Sequence, residues 1–407
     1  MKSRELEDPM RIAWLMPEAM GGCYMQPIFK EFTDLMPNTV FFTGAWPGTL
    51  APYEGKFSIC EVRGVHFIIL GRGLAGFPKG FTWAPPTILG ELIRFRPRVV
   101  LAGAFNLWSA YALLVKKLMK WRVVLIWDGV SPAVACLNSP VRLTLRRIMA
   151  KAFDAAISNT HAGVRYLEEV LGMPSDKIVR HPYQVAEPAA LGCGDTDDSP
   201  LPRRSFCTFL VVGRLIELKG VHRLLEAAKL LVERGVSNFV INIVGTGEMA
   251  ETLRRQATDF GLDQVVQWIG FVPYDALGRH YQASDALILP SLVDVWGMVV
   301  LEAMCFGKAV LCSKHAGARE MVQDGENGFV FDPHDPRELA DQMELLIRVP
   351  GLVHKLGERS KELIAPYSAR RSAEVLLDVA TGRMWHTAER STGQGLEGTA
   401  QAKGVPR

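Results

Sequence analysis

Short apolar runs alternate with longer amphipathic segments along most of the chain. In the first half the apolar runs lack the polar–apolar alternation of a strand with one wet face, so they predict a parallel sheet covered on both sides by helices. These runs are "RIAWLMP" (11–17), "TVFFTG" (39–44), "HFIILG" (66–71), "RVVLAGA" (98–104), "RVVLIWDG" (122–129) and "DAAISN" (154–159). Segments such as "NLWSAYALLVKKLMK" and "SPVRLTLRRIMAKAF" lie between them and have the length and pattern of helices.

The alternation stops once and then starts again. Residues 186–205, "AEPAALGCGDTDDSPLPRRS", are rich in Pro, Gly, Asp and Ser without periodicity, which is typical of an interdomain linker. Strand-like and helix-like segments resume at 206 and continue to about 385. The pattern therefore predicts an N-terminal domain over 1–190, a C-terminal domain over 206–385, and a disordered tail over 386–407.

A chain of 407 residues exceeds the size at which one core stops growing, which also favours two domains. Strand–helix repetition in both halves predicts an α/β protein with two tandem Rossmann-like, doubly wound domains. We expect a ligand in the cleft between them, at the carboxyl ends of the strands.

Composition indicates an ordinary globular protein, with 48% hydrophobic and 22% charged residues. Seven scattered cysteines without a Cys-x-x-Cys pair favour reduced thiols and a cytoplasmic setting. The charged start "MKSRELEDPM" shows no secretory signal, and no apolar run reaches the roughly 18 residues of a transmembrane helix.

Charge is distributed unevenly along the chain. Residues 1–190 carry 22 Lys and Arg against 15 Asp and Glu, whereas the whole chain has a net charge of +3. A basic N-terminal half suits an anionic partner such as a membrane surface or a phosphorylated acceptor. A solvated basic face that only aids solubility explains the same charge, and we expect no nucleic-acid partner.

Two cations follow the first apolar run of the second half. In "VVGRLIELKG", Arg214 comes just past a predicted strand and Lys219 comes at the start of the next predicted helix. Cations beside a helix N-terminus form an anion site suited to phosphate or diphosphate. The alternative is an exposed strand-to-helix loop with two routine basic residues.

Glycines occupy two further strand-to-helix turns. Gly245, in "IVGTGEM", leaves the backbone free to approach a ligand, although a plain turn is equally consistent with it. Gly22, in "PEAMGGCYMQP", precedes a predicted helix. Neither turn has the Gly-x-Gly-x-x-Gly spacing followed by a ribose-binding acid, so a nicotinamide-dependent dehydrogenase is not expected.

The segment "PSLVDVWGMVVLEAMCFGKAVL" carries two acids in apolar surroundings, Asp294 and Glu302. A helix is predicted to begin near Trp296 or Gly297, which places Asp294 in the preceding loop and Glu302 in the second helical turn. The unpaired amides between them suit phosphate, and the carboxylates suit sugar hydroxyls. Alternatively, Asp294 is only a helix N-cap and Glu302 a surface residue.

These motifs together resemble the group-1 glycosyltransferases of GT-B fold that carry a Glu-x7-Glu signature. The resemblance is strong from about 206 to 385 and looser from 11 to 185. The matching segments stand in family order: "GRLIELKG", "IVGTGE", "IGFVPYDALGRHYQASDALILPS", "DVWGMVVLEAMCFGKAVLCSKHAGAREMVQDGENGFVF" and "PYSARRSAEVLL".

The resemblance implies a role for each matching residue. Arg214 and Lys219 would neutralise the diphosphate of a nucleotide-sugar donor, Asp294 would contact the donor sugar as a catalytic residue, and Glu302 would hold the ribose hydroxyls. The remaining substrate-binding candidates lie in the adjoining turns and at the start of the signature helix. They are Gly22, Asp128, Gly245, Val272, Trp296, Gly297, Met298 and Val299.

The resemblance also implies transfer with retention of configuration and no metal or other cofactor, and the sequence has no Asp-x-Asp cluster or metal-spaced His/Cys set. Two departures stand out. The first acid of the signature is Asp294 instead of Glu, and "LIWDGVSP" offers Asp128 where the family usually has a His. Asp128 therefore contacts a donor or acceptor hydroxyl, or only caps its loop.

The leading hypothesis is a glycosyltransferase that moves a sugar from a nucleotide-diphosphate donor to an acceptor hydroxyl on a lipid-linked saccharide or a small glycoside. It would act in the cytoplasm or at the inner face of the membrane, in polysaccharide, glycolipid or glycoside biosynthesis. Two alternatives stay open: a nucleotide-sugar epimerase on the same scaffold, and a non-catalytic subunit that binds a glycan or nucleotide sugar.

Overall fold

The computed structural model describes residues 10–18, 22–72, 78–193 and 206–383, and within them the chain forms two parallel sheets flanked by helices. The first sheet belongs to the N-terminal half and has seven strands in the order β3-β2-β1-β6-β7-β8-β9. Its strands are β1 (Ile12–Met16), β2 (Thr39–Thr43), β3 (Ser58–Glu61), β6 (Val99–Gly103), β7 (Arg122–Trp127), β8 (Ala155–Ser158) and β9 (Ile178–Arg180), and a separate pair consists of β4 (His66–Arg72) and β5 (Pro78–Trp83).

The second sheet belongs to the C-terminal half and has six parallel strands in the order β12-β11-β10-β13-β14-β15. Both strand orders reverse direction beside the first strand of the unit, as in doubly wound folds. The strands are β10 (Cys207–Val212), β11 (Phe239–Val244), β12 (Val266–Gly270), β13 (Ala286–Leu289), β14 (Ala309–Ser313) and β15 (Gly328–Phe331).

Helices connect the strands and cover both faces of each sheet. In the N-terminal half they are α1 (Gly22–Leu35), α2 (Ile88–Phe95), α3 (Leu107–Met119), α4 (Pro132–Ala135), α5 (Pro140–Ala152) and α6 (His161–Arg165). In the C-terminal half they are α7 (Val221–Glu233), α8 (Ala250–Asp259), α9 (Gly278–Gln282), α10 (Met298–Cys305), α11 (Pro336–Arg348), α12 (Leu352–Ile364) and α13 (Ala369–Thr381). Among the described residues, we find no helix with the length and apolar character needed to cross a membrane.

Burial of the central strands explains their apolar sequences. Every residue of β8, β13 and β14 is buried, and β7 is buried from Val123 to Trp127. A strand covered on both faces has few positions for a polar side chain, so its sequence is mainly apolar without alternation. The predicted α/β architecture with parallel sheets is therefore confirmed.

One predicted strand lies elsewhere than expected. The sequence predicts that the run 66–71 belongs to the parallel sheet, but β4 pairs antiparallel with β5 in a two-stranded ribbon outside both large sheets. Phe67 and Ile69 of β4 are 47% and 67% exposed. An apolar run is therefore not by itself evidence of a central strand, because this one carries its apolar side chains at the surface.

The two halves are joined by more than the predicted linker. The first part of that linker is packed, with Ala186, Ala190 and Leu191 buried, and residues 194–205 lie outside the described residues. Helix α13 is last among the described helices, yet it packs against α1 and the strands β6, β7 and β8 of the N-terminal unit. Arg122 secures it by donating hydrogen bonds to the carbonyls of Val379 and Ala380.

The predicted tail, 386–407, also lies outside the described residues.

Candidate functional site

The carboxyl ends of the adjacent parallel strands β10 and β13 form the floor of a small recess. Arg214, just past β10, and Lys219, in the next turn, both line it, together with Ser291 from the loop after β13. Parallel neighbours end at the same edge of a sheet, which is why two loops distant in sequence meet here. The predicted pair of cations therefore faces one shared space.

The turn that carries Lys219 is held directly against the loop that carries Asp294. Gly220 ends this turn with φ 65°, and a Cβ there would lie 2.0 Å from the carbonyl oxygen of Pro290. The amide of Leu292 donates to the carbonyl of Leu218 at 2.8 Å. Only glycine combines this backbone conformation with so close an approach.

Asp294 pairs with Lys219. Nζ of Lys219 lies 2.6 Å from Oδ2 of Asp294, and the hydroxyl of Ser291 donates to the same oxygen at 3.4 Å. Asp294 does not cap the following helix, because α10 has Gly297 at its N-cap, with φ 99° and no side-chain hydrogen bond to the helix amides. The alternative of a simple helix cap is therefore wrong for Asp294.

Glu302 lies on α10, buried with 2% of its surface exposed. Its two carboxylate oxygens accept separate hydrogen bonds, one from the hydroxyl of Tyr274 at 3.1 Å and one from the hydroxyl of Tyr281 at 2.5 Å. Tyr281 is fixed by stacking on Phe306, with ring centroids 5.5 Å apart. The alternative of an ordinary surface position is wrong for Glu302.

Burial raises the pKa of the Glu302 carboxyl above its usual range, because a charge is poorly solvated in the interior. The hydrogen bonds from Tyr281 and Tyr274 act in the opposite direction and stabilise the ionised form. The same burial, together with the nearby Glu302 charge, holds the pKa of Tyr281 far above its ordinary value. The two phenols therefore remain neutral donors toward this carboxylate.

Asp128 follows β7 in the N-terminal unit and is exposed to solvent. Oδ1 of Asp128 accepts a hydrogen bond from the hydroxyl of Tyr183. Desolvation raises the pKa of Asp128, while hydrogen bonds from Tyr183 and Gln184 oppose that rise. Asp128 is thus anchored by its hydrogen-bond partners and still exposed to solvent.

The loop after Asp128 touches the loop after Asp294. A Cβ on Gly129 would lie 3.0 Å from the carbonyl oxygen of Val295. Trp296 is buried, and its indole N–H donates to the carbonyl of Gln184 at 3.2 Å, which joins the two units. These contacts bring the loop that follows Asp128 next to the loop that follows Asp294. They also show that Trp296 forms a contact between the two units.

Tyr24, on the first turn of α1, reaches the same place. Burial raises the pKa of its phenol, and the charges of Asp128, Asp294 and Glu302 each raise it further. Tyr24 therefore lies within electrostatic range of all three candidate carboxylates, which the sequence could not show to be near one another.

The remaining candidates have contrasting surroundings. Met298 and Val299 form the first turn of α10, and their side chains are partly exposed. The first amides of a helix have no partner within it, so this turn can still donate to an anion. Val272 lies two residues past the end of β12, next to the 73% exposed Phe271, and is partly buried.

Two glycines have packing roles that the sequence did not reveal. A Cβ on Gly245, whose φ is 140°, would lie 1.8 Å from the carbonyl oxygen of Gly213, so the adjacent strand ends require glycine. The amide of Gly245 donates to Gly270 at 2.7 Å. A Cβ on Gly22 would lie 2.3 Å from the ring of Pro47. Close packing therefore explains both residues without a ligand.

Sequence reasoning missed the tyrosines that surround the acids: Tyr24, Tyr183, Tyr274 and Tyr281. Tyr274 lies two residues after Val272, which the sequence already marks as a substrate-binding candidate. That proximity was the available signal, but it could not show that the hydroxyl points to Glu302.

Comparison with known proteins agrees with the motifs. Residues 200–363 match the protein family described as glycosyl transferases, group 1. This segment contains Arg214, Lys219, Asp294 and Glu302.

Curated relatives match mainly over part of their length. A D-inositol 3-phosphate glycosyltransferase of Acidothermus cellulolyticus is 34% identical over 215 residues, 49% of this chain and 47% of the relative. A protein of the same name from Corynebacterium urealyticum is 31% identical over 175 residues, 41% of each chain. The chain spans roughly half the length of these relatives or less.

Solved structures extend the likeness to nearly the whole chain. Anabaena HepE in complex with UDP superposes with a TM-score of 0.72 at 17% identity, covering 92% of this chain and all of the other. Sucrose-phosphate synthase from Thermosynechococcus elongatus gives a TM-score of 0.69 at 15% identity, covering 94% of this chain. The GT-B fold is thereby confirmed.

Proposed function

We propose that this chain is a group 1 glycosyltransferase, which its match to that family over residues 200–363 supports, and that it transfers a sugar from a nucleoside-diphosphate sugar to an acceptor hydroxyl. The observation that supports this most strongly is the shared recess of Arg214 and Lys219 beside Asp294. A pair of cations suits a diphosphate leaving group, and an acid next to it suits the hydroxyls of the attached sugar.

In the proposed reaction the bond between sugar C1 and the diphosphate oxygen breaks. The acceptor oxygen forms a new bond to C1, and its proton passes to the departing diphosphate oxygen, which has gained the electron pair of the broken bond. Arg214 and Lys219 stabilise the negative charge that collects on the departing diphosphate. We propose that these cations take the place of a divalent metal and that the anomeric configuration is retained.

Glu302 is the candidate ligand of the ribose hydroxyls. Each of its oxygens already accepts one tyrosine hydroxyl, and a carboxylate has about four lone-pair sites, so capacity remains for a diol. The two tyrosines orient the carboxylate before the nucleotide arrives. A fixed acceptor loses less conformational freedom on binding, which favours affinity.

The acceptor is proposed to lie on the N-terminal side, near Asp128 and Tyr24. Exposure of Asp128 to solvent supports a contact with an incoming hydroxyl. The curated relatives named D-inositol 3-phosphate glycosyltransferase put a phosphorylated polyol among the acceptors to be tested, beside lipid-linked saccharides and small glycosides.

Contact with an anionic membrane surface is proposed for the outer face of α3 and α5. Large apolar side chains stand exposed there: Leu114 and Leu118 at 82% and 83%, and Val141 and Ile148 at 71% and 62%. Helix α5 carries three arginines and one lysine and no acid. Exposed apolar groups beside cations are the features that interfacial helices use.

Sedimentation with vesicles tests this contact. Vesicles that contain phosphatidylglycerol should carry the protein down, and the Leu114→Ser, Leu118→Ser double variant should weaken that association several-fold. Leu345→Ser, at a 40% exposed position on α11, serves as the matched control. Equal sedimentation of both variants would remove this face from the proposal.

The proposed activity is tested by incubating the purified protein with UDP-, GDP-, ADP- and dTDP-sugars, with and without acceptors, in the presence of EDTA and again with added Mg²⁺. Product formed only with an acceptor supports transfer. Conversion of the sugar without an acceptor identifies an epimerase. Binding without either reaction, over a wide acceptor panel, identifies a non-catalytic subunit.

A further inference from the structure

Lys219 and Asp294 are both assigned to the donor, yet they form an ion pair with each other at 2.6 Å. Their side chains are 29% and 13% exposed, so water and salt screen the pair less than a surface pair. The Asp294 charge therefore acts on any ligand that Lys219 binds.

A diphosphate in the recess would bring negative charge close to the Asp294 carboxylate. It would share Lys219 with Asp294 or displace it, and in both cases the two anions repel each other. A bare nucleoside diphosphate has no hydroxyl beyond its terminal phosphate that could donate to Asp294. Its binding therefore leaves the carboxylate with a weaker partner than before.

An intact donor differs at this point, because a sugar is attached to the terminal phosphate. Its hydroxyls can donate hydrogen bonds to Asp294, and bonds to an ionised acceptor are among the stronger ones. When Lys219 binds the phosphate, the Asp294 carboxylate loses part of its stabilisation by this cation. Hydrogen bonds from the sugar hydroxyls replace part of that stabilisation. The same carboxylate opposes the product and accepts the substrate.

We propose that Asp294 determines the preference for the intact sugar nucleotide over the nucleoside diphosphate product, through its pairing with Lys219. The proposal rests on the proposed function and adds a role in product release. Once the sugar has been transferred, Asp294 pairs with Lys219 again. Because this ion pair competes with the diphosphate for Lys219, the product is bound less tightly.

Calorimetric titration of Asp294→Asn tests this directly. The variant keeps the shape of the side chain and removes its charge. We expect its Kd for whichever of UDP, GDP, ADP and dTDP binds the wild type to fall about 5- to 10-fold. We expect its Kd for the sugar derivatives of that nucleotide to rise, so that the two affinities converge.

A second ion pair of equal length provides the control. Arg234 and Asp341 are 2.6 Å apart at the far end of α7, which at 13 residues is about 20 Å long. Asp341→Asn changes the net charge equally and should leave both affinities unchanged. Equal tightening in both variants would overturn the proposal in favour of a general charge effect.

Other outcomes are also decisive. Unchanged or weaker diphosphate binding in Asp294→Asn overturns the proposal and leaves the proposed function standing. No binding of any nucleotide or nucleotide sugar to the wild type overturns both. Should Asp294→Asn fail to melt cooperatively, Asp294→Ser replaces it, and in turnover assays the product-inhibition constant of the folded variant should fall.

Discussion

Asp294 and Glu302 stand eight positions apart in one segment, but their surroundings differ in every respect. Asp294 lies in a loop, is partly open to solvent, and pairs with Lys219, which we propose also binds the donor diphosphate. Glu302 lies on a helix, is buried, and faces two neutral phenols. The first environment suits an acid that exchanges partners, and the second suits an acid that keeps its place.

The largest expected effect on activity comes from removing Lys219, the cation that pairs with Asp294. Lys219→Met should lower turnover of a nucleotide sugar by at least about 100-fold, because removal of one group that stabilises charge in a transition state costs on the order of 10²–10³. The measurement is kcat with saturating donor. Lys229→Met, which removes a partly exposed lysine on α7 paired with Glu233 at 3.6 Å, should retain activity.

A smaller effect, on the free energy of unfolding, should distinguish the two tyrosines that donate hydrogen bonds to Glu302. Tyr281→Phe leaves a carboxylate oxygen unpaired in a fully buried place, which should lower the free energy of unfolding by about 1–3 kcal/mol. Tyr274 is only partly buried, so water can replace its hydroxyl, and Tyr274→Phe should cost less than about 1 kcal/mol. Urea unfolding of both variants measures the difference. Equal costs would contradict the assignment of Tyr281 as the fixed partner.

The smallest effect is a pH dependence of stability. Burial raises the folded-state pKa of Glu302, so the folded protein holds this proton to higher pH than the unfolded chain does. The contribution of Glu302 to stability is therefore full below its ordinary pKa of 4.5 and is lost as the pH rises through the folded-state value. Glu302→Gln has no carboxyl to titrate at this position, so its stability should not show this loss as the pH rises.

Melting curves between pH 4.5 and 8 should accordingly show the Tm of Glu302→Gln rising relative to that of the wild type as the pH increases. A constant difference between the two proteins over this range would mean that Glu302 titrates as an ordinary carboxyl. Asp341→Asn, at an exposed acid, is the control that should show no such trend.

The sequence predicted those parts of the structure that follow from local pattern. Nearly unbroken apolar runs predict buried strands such as β13 and β14. The same hydrophobic pattern predicts that Asp294 precedes a helix and that Glu302 lies within it, as the structure shows. The ribbon strand β4 has an equally apolar sequence, yet it lies outside the sheet. Composition cannot distinguish these cases, because the difference lies in what covers the strand.

Contacts between distant segments could not be predicted at all. The pairing of Lys219 with Asp294 joins positions 75 residues apart, and the bond from Trp296 to Gln184 spans 112. The sequence is consistent with ligand access or a plain turn at Gly245, and it gives no sign that the close approach of the Gly213 carbonyl requires glycine there. A single sequence carries no information on which distant side chains meet, so these contacts become visible only in the folded structure.

The central claim is that the recess of Arg214 and Lys219 beside Asp294 serves transfer from a nucleotide sugar. Side-by-side assays of sugar transfer by the wild type and Lys219→Met, with the donor panel and acceptors described above, test it most directly. We predict acceptor-dependent product with at least one donor for the wild type and almost none for the variant. Equal product from both proteins would contradict the claim.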